Sequence, residues 1–327
     1  MTPTPTDTIS ADYDTLRSGC GLLDRSERGK LALTGADAVE FLNGQVTNEL
    51  LTLRAGEGHY AAFLNHKGKM LGDVRILAVG ELAGAAPAEL LLDTERTALQ
   101  ALFDMIRRFK VGYAVELHKR TLERGLLSLI GPQAQTIASV GILEQREHAS
   151  VPCEIEGIPA LAIRSDVGVD LLCEAVDTGA LAVALGERGA VAIDGQAAEC
   201  LRIEHGRPRY GVDLDQTVIP QEAGLNERAV SFTKGCYVGQ ETVARLHYKG
   251  KPNRHLRGLR LSEPAAAGEE LRLGDRVVGQ IGSSAISPRL GPIALALVRR
   301  EAPPGTTVAV GESGASAEVL ELPFAEH

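Results

Sequence analysis

Apolar and polar residues along the first third of the chain fall into short segments whose period keeps changing. Lys30 to Leu33 reads as a strand entering a helix, where Val39, Leu42 and Val46 keep helical spacing and Asp37 with Glu40 has the form of a capping box. Gly58 to Leu64 and Met70 to Val79 read as strands flanking Asn65-His66-Lys67-Gly68-Lys69, which predicts a hairpin with a polar, glycine-bearing tip. After the apolar run Leu90 to Leu92, residues Leu99, Leu102, Phe103, Ile106 and Phe109 mark the buried stripe of a helix starting near Thr94. Tyr113 to Leu117 alternates as a further strand. This mixture predicts an α+β domain with helices packed on a largely antiparallel sheet.

A second α+β unit follows. Its pattern gives a strand from Leu126 to Ile130, a helix from Pro132, strands around Cys153 to Ile163 and Val169 to Cys173, and a helix through Leu181. One more helix, Gly195 to Ile203, delivers Glu204 to a loop rich in Pro, Gly and Asp that runs from Gly206 to Ala223. Long ordered loops of that kind tend to be functional or to wrap one part of a fold across another. Beyond Pro252 the chain becomes a series of short strands (Leu256–Leu261, Glu270–Leu273, Val277–Ile281, Ile293–Val298, Thr307–Val310, Ala317–Leu322), the spacing of a small β-barrel or sandwich. The expected organisation is a flexible segment over 1–18, α+β domains over 19–122 and 123–250, and a C-terminal β-barrel over 251–327.

Composition narrows the function classes. At 327 residues and 44% hydrophobic content the chain can bury two or three cores. A net charge of −9 argues against a general nucleic-acid binder. Against that balance, Arg245, His247, Lys249, Lys251, Arg254, His255, Arg257 and Arg260 crowd together; this is either a solvated face or a basic rim for an anionic ligand or partner. The cysteines Cys20, Cys153, Cys173, Cys200 and Cys236 are scattered, which points to a reducing, cytoplasmic setting and away from a resident iron–sulfur cluster or structural zinc. No apolar run approaches a membrane span, and the first eighteen residues carry no signal-peptide core.

The most informative stretch is Lys234-Gly235-Cys236-Tyr237-Val238-Gly239-Gln240-Glu241. A helix is expected from Val238 to His247, and Gly235 and Gly239 permit a tight turn before it. A thiol at a helix N-terminus beside Lys234 is favoured as the thiolate, although a lone cysteine is more often a small buried hydrophobe. Glu241 and Arg245 are spaced to pair along the helix, and with Gln240 they read chiefly as support for the loop.

This octapeptide resembles the signature of the YgfZ-type folate-binding proteins, relatives of the glycine cleavage aminomethyltransferase (T-protein). The likeness extends to Arg202-Ile203-Glu204-His205-Gly206-Arg207-Pro208, to Ile219-Pro220-Gln221-Glu222-Ala223, and to Thr34-Gly35-Ala36-Asp37 with Phe41-Leu42-Asn43-Gly44-Gln45-Val46-Thr47. It implies the aminomethyltransferase-like fold and a tetrahydrofolate site with no tightly bound metal. Glu204 would contact the pterin through paired charge-assisted hydrogen bonds, whereas the residues alone leave a pairing with Arg202 or Arg207 equally open. Asp73 falls where the aminomethyltransferases carry an Asp-Asp pair, here Gly72-Asp73; without the likeness it reads equally as an exposed strand-edge acid. Tryptophans placed at the folate cavity in known members are replaced by Arg28 and Ala198, and the chain has no tryptophan at all.

For Cys236 the resemblance implies a thiol needed to maintain iron–sulfur proteins, including enzymes that modify tRNA. The expected function is therefore a folate-binding accessory protein for iron–sulfur cluster assembly or repair, with iron–sulfur proteins or cluster carriers as partners and no direct contact with nucleic acid or membrane. The alternative is a tetrahydrofolate-dependent aminomethyltransferase or demethylase.

Overall fold

The computed structural model describes residues 5–80, 86–141, 143–312 and 314–324. The chain forms α1 (Pro5–Ser18), β1 (Gly21–Asp24), β2 (Gly29–Thr34), α2 (Ala38–Asn43), β3 (Gly58–Leu64), β4 (Met70–Val79), β5 (Glu89–Thr94), α3 (Leu99–Phe109) and β6 (Glu116–Lys119). Next come β7 (Arg124–Ile130), α4 (Ala134–Ala138), β8 (Ser150–Ile155), β9 (Ile158–Arg164), β10 (Gly168–Glu174), α5 (Thr178–Glu187), β11 (Val191–Ala192) and α6 (Gly195–Glu204). A largely irregular stretch containing α7 (Asn226–Ala229) leads to α8 (Gln240–Lys249). The last strands are β12 (Arg254–Leu261), β13 (Glu270–Leu273), β14 (Arg276–Ser287), β15 (Gly291–Arg299), β16 (Thr307–Val310) and β17 (Ala315–Leu320).

Packing divides the chain into two units, each discontinuous in sequence. The first comprises Met1–Leu64, Leu71–Ala197 and Arg228–Val238; the second comprises Asn65–Met70, Ala198–Glu227 and Gly239–His327. The first unit holds both α+β halves, as a sheet ordered β3-β4-β5-β2-β6 and another ordered β11-β1-β7-β10-β9-β8. The two sheets meet through Ala32, Leu77 and Leu91 on one side and Leu126, Ile163 and Leu172 on the other. Helices α4 and α5 close a further core against the second sheet, with Ile137, Leu181 and Leu185 packed on Leu129, Val169 and Leu171. In the second unit the barrel closes in the order β12-β15-β14-β13-β16-β17, with β12 pairing antiparallel to β17. Its interior is filled by short and branched side chains such as Leu259, Val278, Ala296, Val308 and Val319. Ile203 of α6 packs with Leu256, Ile293, Leu295 and Phe324 outside that core.

Several expectations are corrected. The segment before residue 19 was expected to be flexible; residues 1–4 lie outside the described residues, and Pro5–Ser18 is a helix that buries Tyr13 and Leu16, one turn apart. Asp37 occupies the N-cap position of α2 without capping it, because its Oδ2 instead accepts the Ala114 N–H at 2.7 Å. Helix α3 begins at Leu99, since Thr94 is still the end of β5. The strand expected from Tyr113 starts at Glu116, after a turn in which the Tyr113 N–H bonds the Lys110 carbonyl at 3.1 Å.

Candidate functional site

Strand β4 alternates between two environments. Asp73 and Arg75 lie on one face, and β-sheet register sets Arg75 opposite Asp93 of β5, itself opposite Lys30 of β2. Arg75 reaches Asp93 at 2.8 Å and, from the facing sheet, Asp170 of β10 at 2.5 Å. Arg28, in the turn before β2, pairs with Asp93 at 2.7 Å and with Glu95. Asp170 also accepts the Ser128 hydroxyl at 2.6 Å. A ladder of alternating charge therefore runs through the interior of the first unit.

Asp73 differs from its neighbours. It is buried in an interior strand, not exposed at a strand edge, and its Oδ2 accepts the Tyr60 hydroxyl at 2.5 Å. Burial pushes the Asp73 carboxyl up to about 6, with the Tyr60 hydrogen bond and the Arg28 charge pulling only partly the other way. Asp93 is equally buried, yet the guanidinium groups of Arg28 and Arg75 outweigh burial and hold it near about 2. The ladder thus fixes some carboxylates as ions and leaves one acid poised close to neutrality.

Tyr60 is framed by groups the sequence pattern did not single out. The Arg228 guanidinium carbon lies 5.0 Å from its ring centroid, and the His148 ring centroid is 6.3 Å away. His148 is buried and its backbone is left-handed, with φ of 71°. Neither ring nitrogen has a hydrogen-bond partner among the described residues, and burial with the nearby Arg75 and Arg228 charges pushes the ring down to about 3. Backbone strain around a buried, neutral imidazole is a mark of a functional surround. Its sequence neighbour Glu147 pairs with Arg228 at 2.5 Å.

The octapeptide is where the chain passes from the first unit to the second. Lys234 is buried, and its ammonium donates to the carbonyls of Asn43 at 2.7 Å, Val46 at 2.8 Å and Asn48 at 2.6 Å. A lysine ammonium has three N–H donors, so all are taken. Burial pulls the group down to about 8, countered partly by Glu49. Lys234 is thus a clasp between two distant segments, with no donor left to stabilise the Cys236 thiolate. Tyr237 is buried, its ring centroid 5.2 Å from the Lys234 ammonium, and the Val238 N–H bonds the Gly44 carbonyl at 3.3 Å. Gly235 and Cys236 are exposed. Helix α8 begins only at Gln240, with Gly239 in the left-handed region as its N-cap, so Cys236 lies ahead of the helix and not at its first turn. Cys20, Cys173 and Cys200 are buried, Cys153 is half-buried, and Cys236 is the exposed thiol. Glu241 and Arg245 are both exposed, and among the described residues they form no ion pair with each other.

In the second unit Glu204 ends α6 and is buried. Its Oε1 accepts the Ser287 hydroxyl and the Cys200 thiol, the latter at 3.8 Å, and its Oε2 lies 3.6 Å from Arg289. The expected alternatives for its partner were Arg202 and Arg207. Arg202 instead pairs with Glu199 at 2.6 Å and Asp213 at 2.9 Å. Glu204 thereby ties α6 to the end of β14, while its backbone carbonyl accepts the Phe324 N–H at 3.1 Å. Ala198 begins the second unit. The basic run also divides: Arg254, Arg257 and Arg260 pair with Glu222, Glu321 and Glu318.

Two facing sheets with an embedded acid, followed in the chain by a six-stranded barrel, make up an aminomethyltransferase-like fold. The family model for the GCVT N-terminal domain matches residues 3–234, and that for the glycine cleavage T-protein C-terminal barrel domain matches residues 254–325. An aminomethyltransferase of Streptomyces avermitilis is 30% identical over 94% of this chain and 87% of its own length. That of Rubrobacter xylanophilus is 27% identical over 97% of this chain and 86% of its own length. The crystal structure of the glycine cleavage system aminomethyltransferase T from Bartonella henselae superposes with a TM-score of 0.85 at 25% identity, covering 98% of this chain and 90% of that one. The chain belongs to the glycine cleavage T-protein family. Among the described residues no helix is long and apolar enough to cross a membrane.

Proposed function

We propose that this protein binds a tetrahydrofolate derivative and acts on its one-carbon unit, with Asp73 as the acid that faces the reaction. The observation that carries the reading is the Asp73 carboxyl, buried against Tyr60 and raised to about 6. A carboxyl near neutrality can hold a proton against a ring nitrogen or take one from it, as one-carbon transfer on a reduced folate requires. The T-protein relatives support this class of chemistry. Transfer would run on one carboxylate, because Gly72 lies directly beneath α3: a Cβ there would stand 2.8 Å from the Ala98 Cβ. Arg28 acts through charge, holding Asp93 ionised and drawing Asp73 partly down. Glu204 is the candidate pterin contact, and to serve it must exchange a Ser287 or Arg289 bond for the ligand.

Calorimetric titration with tetrahydrofolate and 5-formyltetrahydrofolate tests binding. Saturable micromolar binding that weakens at least tenfold in Glu204→Ala is expected. Single-turnover transfer from an S-aminomethyl thiol to tetrahydrofolate, which gives 5,10-methylenetetrahydrofolate and releases ammonia and the free thiol, tests the chemistry, with Asp73→Asn expected to bind and not turn over. Binding without transfer in the wild-type protein would remove the enzymatic reading.

A second reading is favoured by the exposure of Cys236 in a chain whose other cysteines are buried or half-buried. In it the protein is a YgfZ-type folate-binding accessory factor for iron–sulfur proteins or their cluster carriers, and supports tRNA modification only indirectly. Thiolate is a soft ligand for iron, so a partner's cluster could be held transiently. Cys236→Ser would then lower the activity of iron–sulfur enzymes in cells while leaving folate affinity unchanged; unaltered iron–sulfur activity would dispose of this reading.

A further inference from the structure

The second unit contains a cavity of about 420 Å³ that none of the folate reading uses. Its roof is the irregular strap after α6, through Val212, Leu214 and Val218, and its floor is formed by β14 and β15, including Val277 and Leu297. The volume falls within the range of small-molecule sites.

The strap is held over the barrel at both ends. At one end Asp213, its side chain fully buried, accepts the Ser283 N–H at 2.8 Å and the Ser283 hydroxyl at 3.0 Å, and pairs with Arg202. This docking falls at a break in the β14–β15 register between Ile281 and Ser284. Gly282 permits it, since a Cβ at that position would lie 2.6 Å from Asp213 Oδ1 and 3.1 Å from its Cα. At the other end Arg254 grips Glu222 at 2.9 Å and the Thr217 carbonyl at 3.0 Å. The space between is therefore built and not a slack loop.

Its walls mix apolar side chains with polar ones such as Thr217 and Gln280, and two arginines, Arg254 and Arg299, stand among its lining residues with Asp213 and Asp215. Val212 and Val277 are two of the large apolar side chains the protein leaves exposed, at 42% and 38%, and both line this cavity. Arg299 of β15 lies directly opposite Arg254 of β12 in the register. Like charges so placed repel. Glu222 neutralises Arg254, with Asp215 also nearby, but Arg299 is exposed and has no ion-pair or hydrogen-bond partner among the described residues. Glu301, a carboxylate that feels the Arg299 charge, is paired with Arg276 at 3.1 Å.

We propose that this cavity is a second binding site, for a small organic anion with an apolar body: the apolar part lies under the strap between Val212 and Val277, and the anionic group pairs with Arg299. The site is separate from that of the folate reading and does not depend on it.

The probe is 8-anilinonaphthalene-1-sulfonate, whose fluorescence rises on burial and is easily followed in a chain with no tryptophan. One saturable site is expected, weakened about tenfold or more in Arg299→Ala, as loss of a charge-assisted contact implies, and partly restored in Arg299→Lys. Val277→Phe, which narrows the cavity without touching the charge, should lower the number of sites filled while the unfolding midpoint stays close to wild type. Equal binding by wild type, Arg299→Ala and Val277→Phe would overturn the proposal, as would no saturable binding. Displacement by saturating 5-formyltetrahydrofolate would overturn the claim of a separate site, whereas coexistence supports it.

Discussion

Asp73 and Lys234 are both ionisable, both buried, and shifted by the same cause, yet they have opposite uses. Burial holds the Asp73 proton more tightly in the native state, raising its pKa from 3.8 to about 6. The stability it contributes is present below about pH 4 and is lost as pH rises through 6. Asp73→Asn, which stays neutral, is therefore expected to be more stable than wild type at pH 8 by up to roughly 3 kcal/mol. That gap should close as the pH falls to 4, and urea unfolding across the range measures it; a gap independent of pH would show that Asp73 does not titrate in this window. Lys234 is held by three carbonyls instead of being poised. Lys234→Met keeps the length of the side chain and orphans all three, at a cost of roughly 3 kcal/mol or more, readable as a lower urea midpoint. A loss confined to thiol reactivity, with stability untouched, would restore the role expected from the sequence.

At the scale of elements, the informative contrast is between what a local pattern can and cannot specify. The hairpin was legible to the residue, because Gly58–Leu64 and Met70–Val79 flank a tip where Asn65 Oδ1 accepts the Lys67 N–H at 2.9 Å and Gly68 has φ of 75°. The barrel strands were legible in order though not in extent, since their signal is short-range alternation punctuated by glycine: β14 runs from Arg276 to Ser287, well past the expected Ile281, and β17 spans Ala315–Leu320 in place of Ala317–Leu322. The capping box failed because Asp37 was claimed by Ala114, far along the chain. Tyr60, His148 and Arg228 were missed because their grouping exists only once β3, the start of β8 and α7 are brought together. The pattern ends α6 at Ile203 and hands Glu204 to a loop, whereas Glu204 is the last residue of that helix, and its anchoring by Ser287 comes from a strand that no local pattern links to it. Gly72 shows the same limit, for its lack of a side chain is required by α3: a methyl group there would meet the Ala98 Cβ at 2.8 Å and Leu102 carbons at 3.2 Å. Gly72→Ala is expected to cost about 1–3 kcal/mol through overpacking, and Gly72→Asp more. A calorimetric midpoint equal to wild type would mean that α3 can shift aside.

For the molecule as a whole, the units do not coincide with stretches of sequence. The second unit takes in the hairpin tip, where the Met70 N–H bonds the Val218 carbonyl at 2.9 Å and the Lys69 ammonium bonds the Thr217 carbonyl at 2.6 Å. It also takes in the strap, which is fixed to the barrel through Asp213–Ser283 and Arg254–Glu222. Truncation at Gly250 leaves tip and strap without the barrel. The fragment 1–250 is expected to be insoluble or protease-sensitive over the tip and strap; a soluble fragment with those segments protected from hydrogen exchange would show that the barrel is dispensable.

The borrowed tip also imposes an order of events on synthesis. Residues 65–70 leave the ribosome well before the strap that receives them has been made, a delay on the order of ten seconds at ordinary elongation rates. During that interval β3 and β4 can pair with each other, yet the polar turn between them has nothing to hold. The tip is thus a latch fitted early and closed late, and a nascent chain stalled before Val218 carries it open.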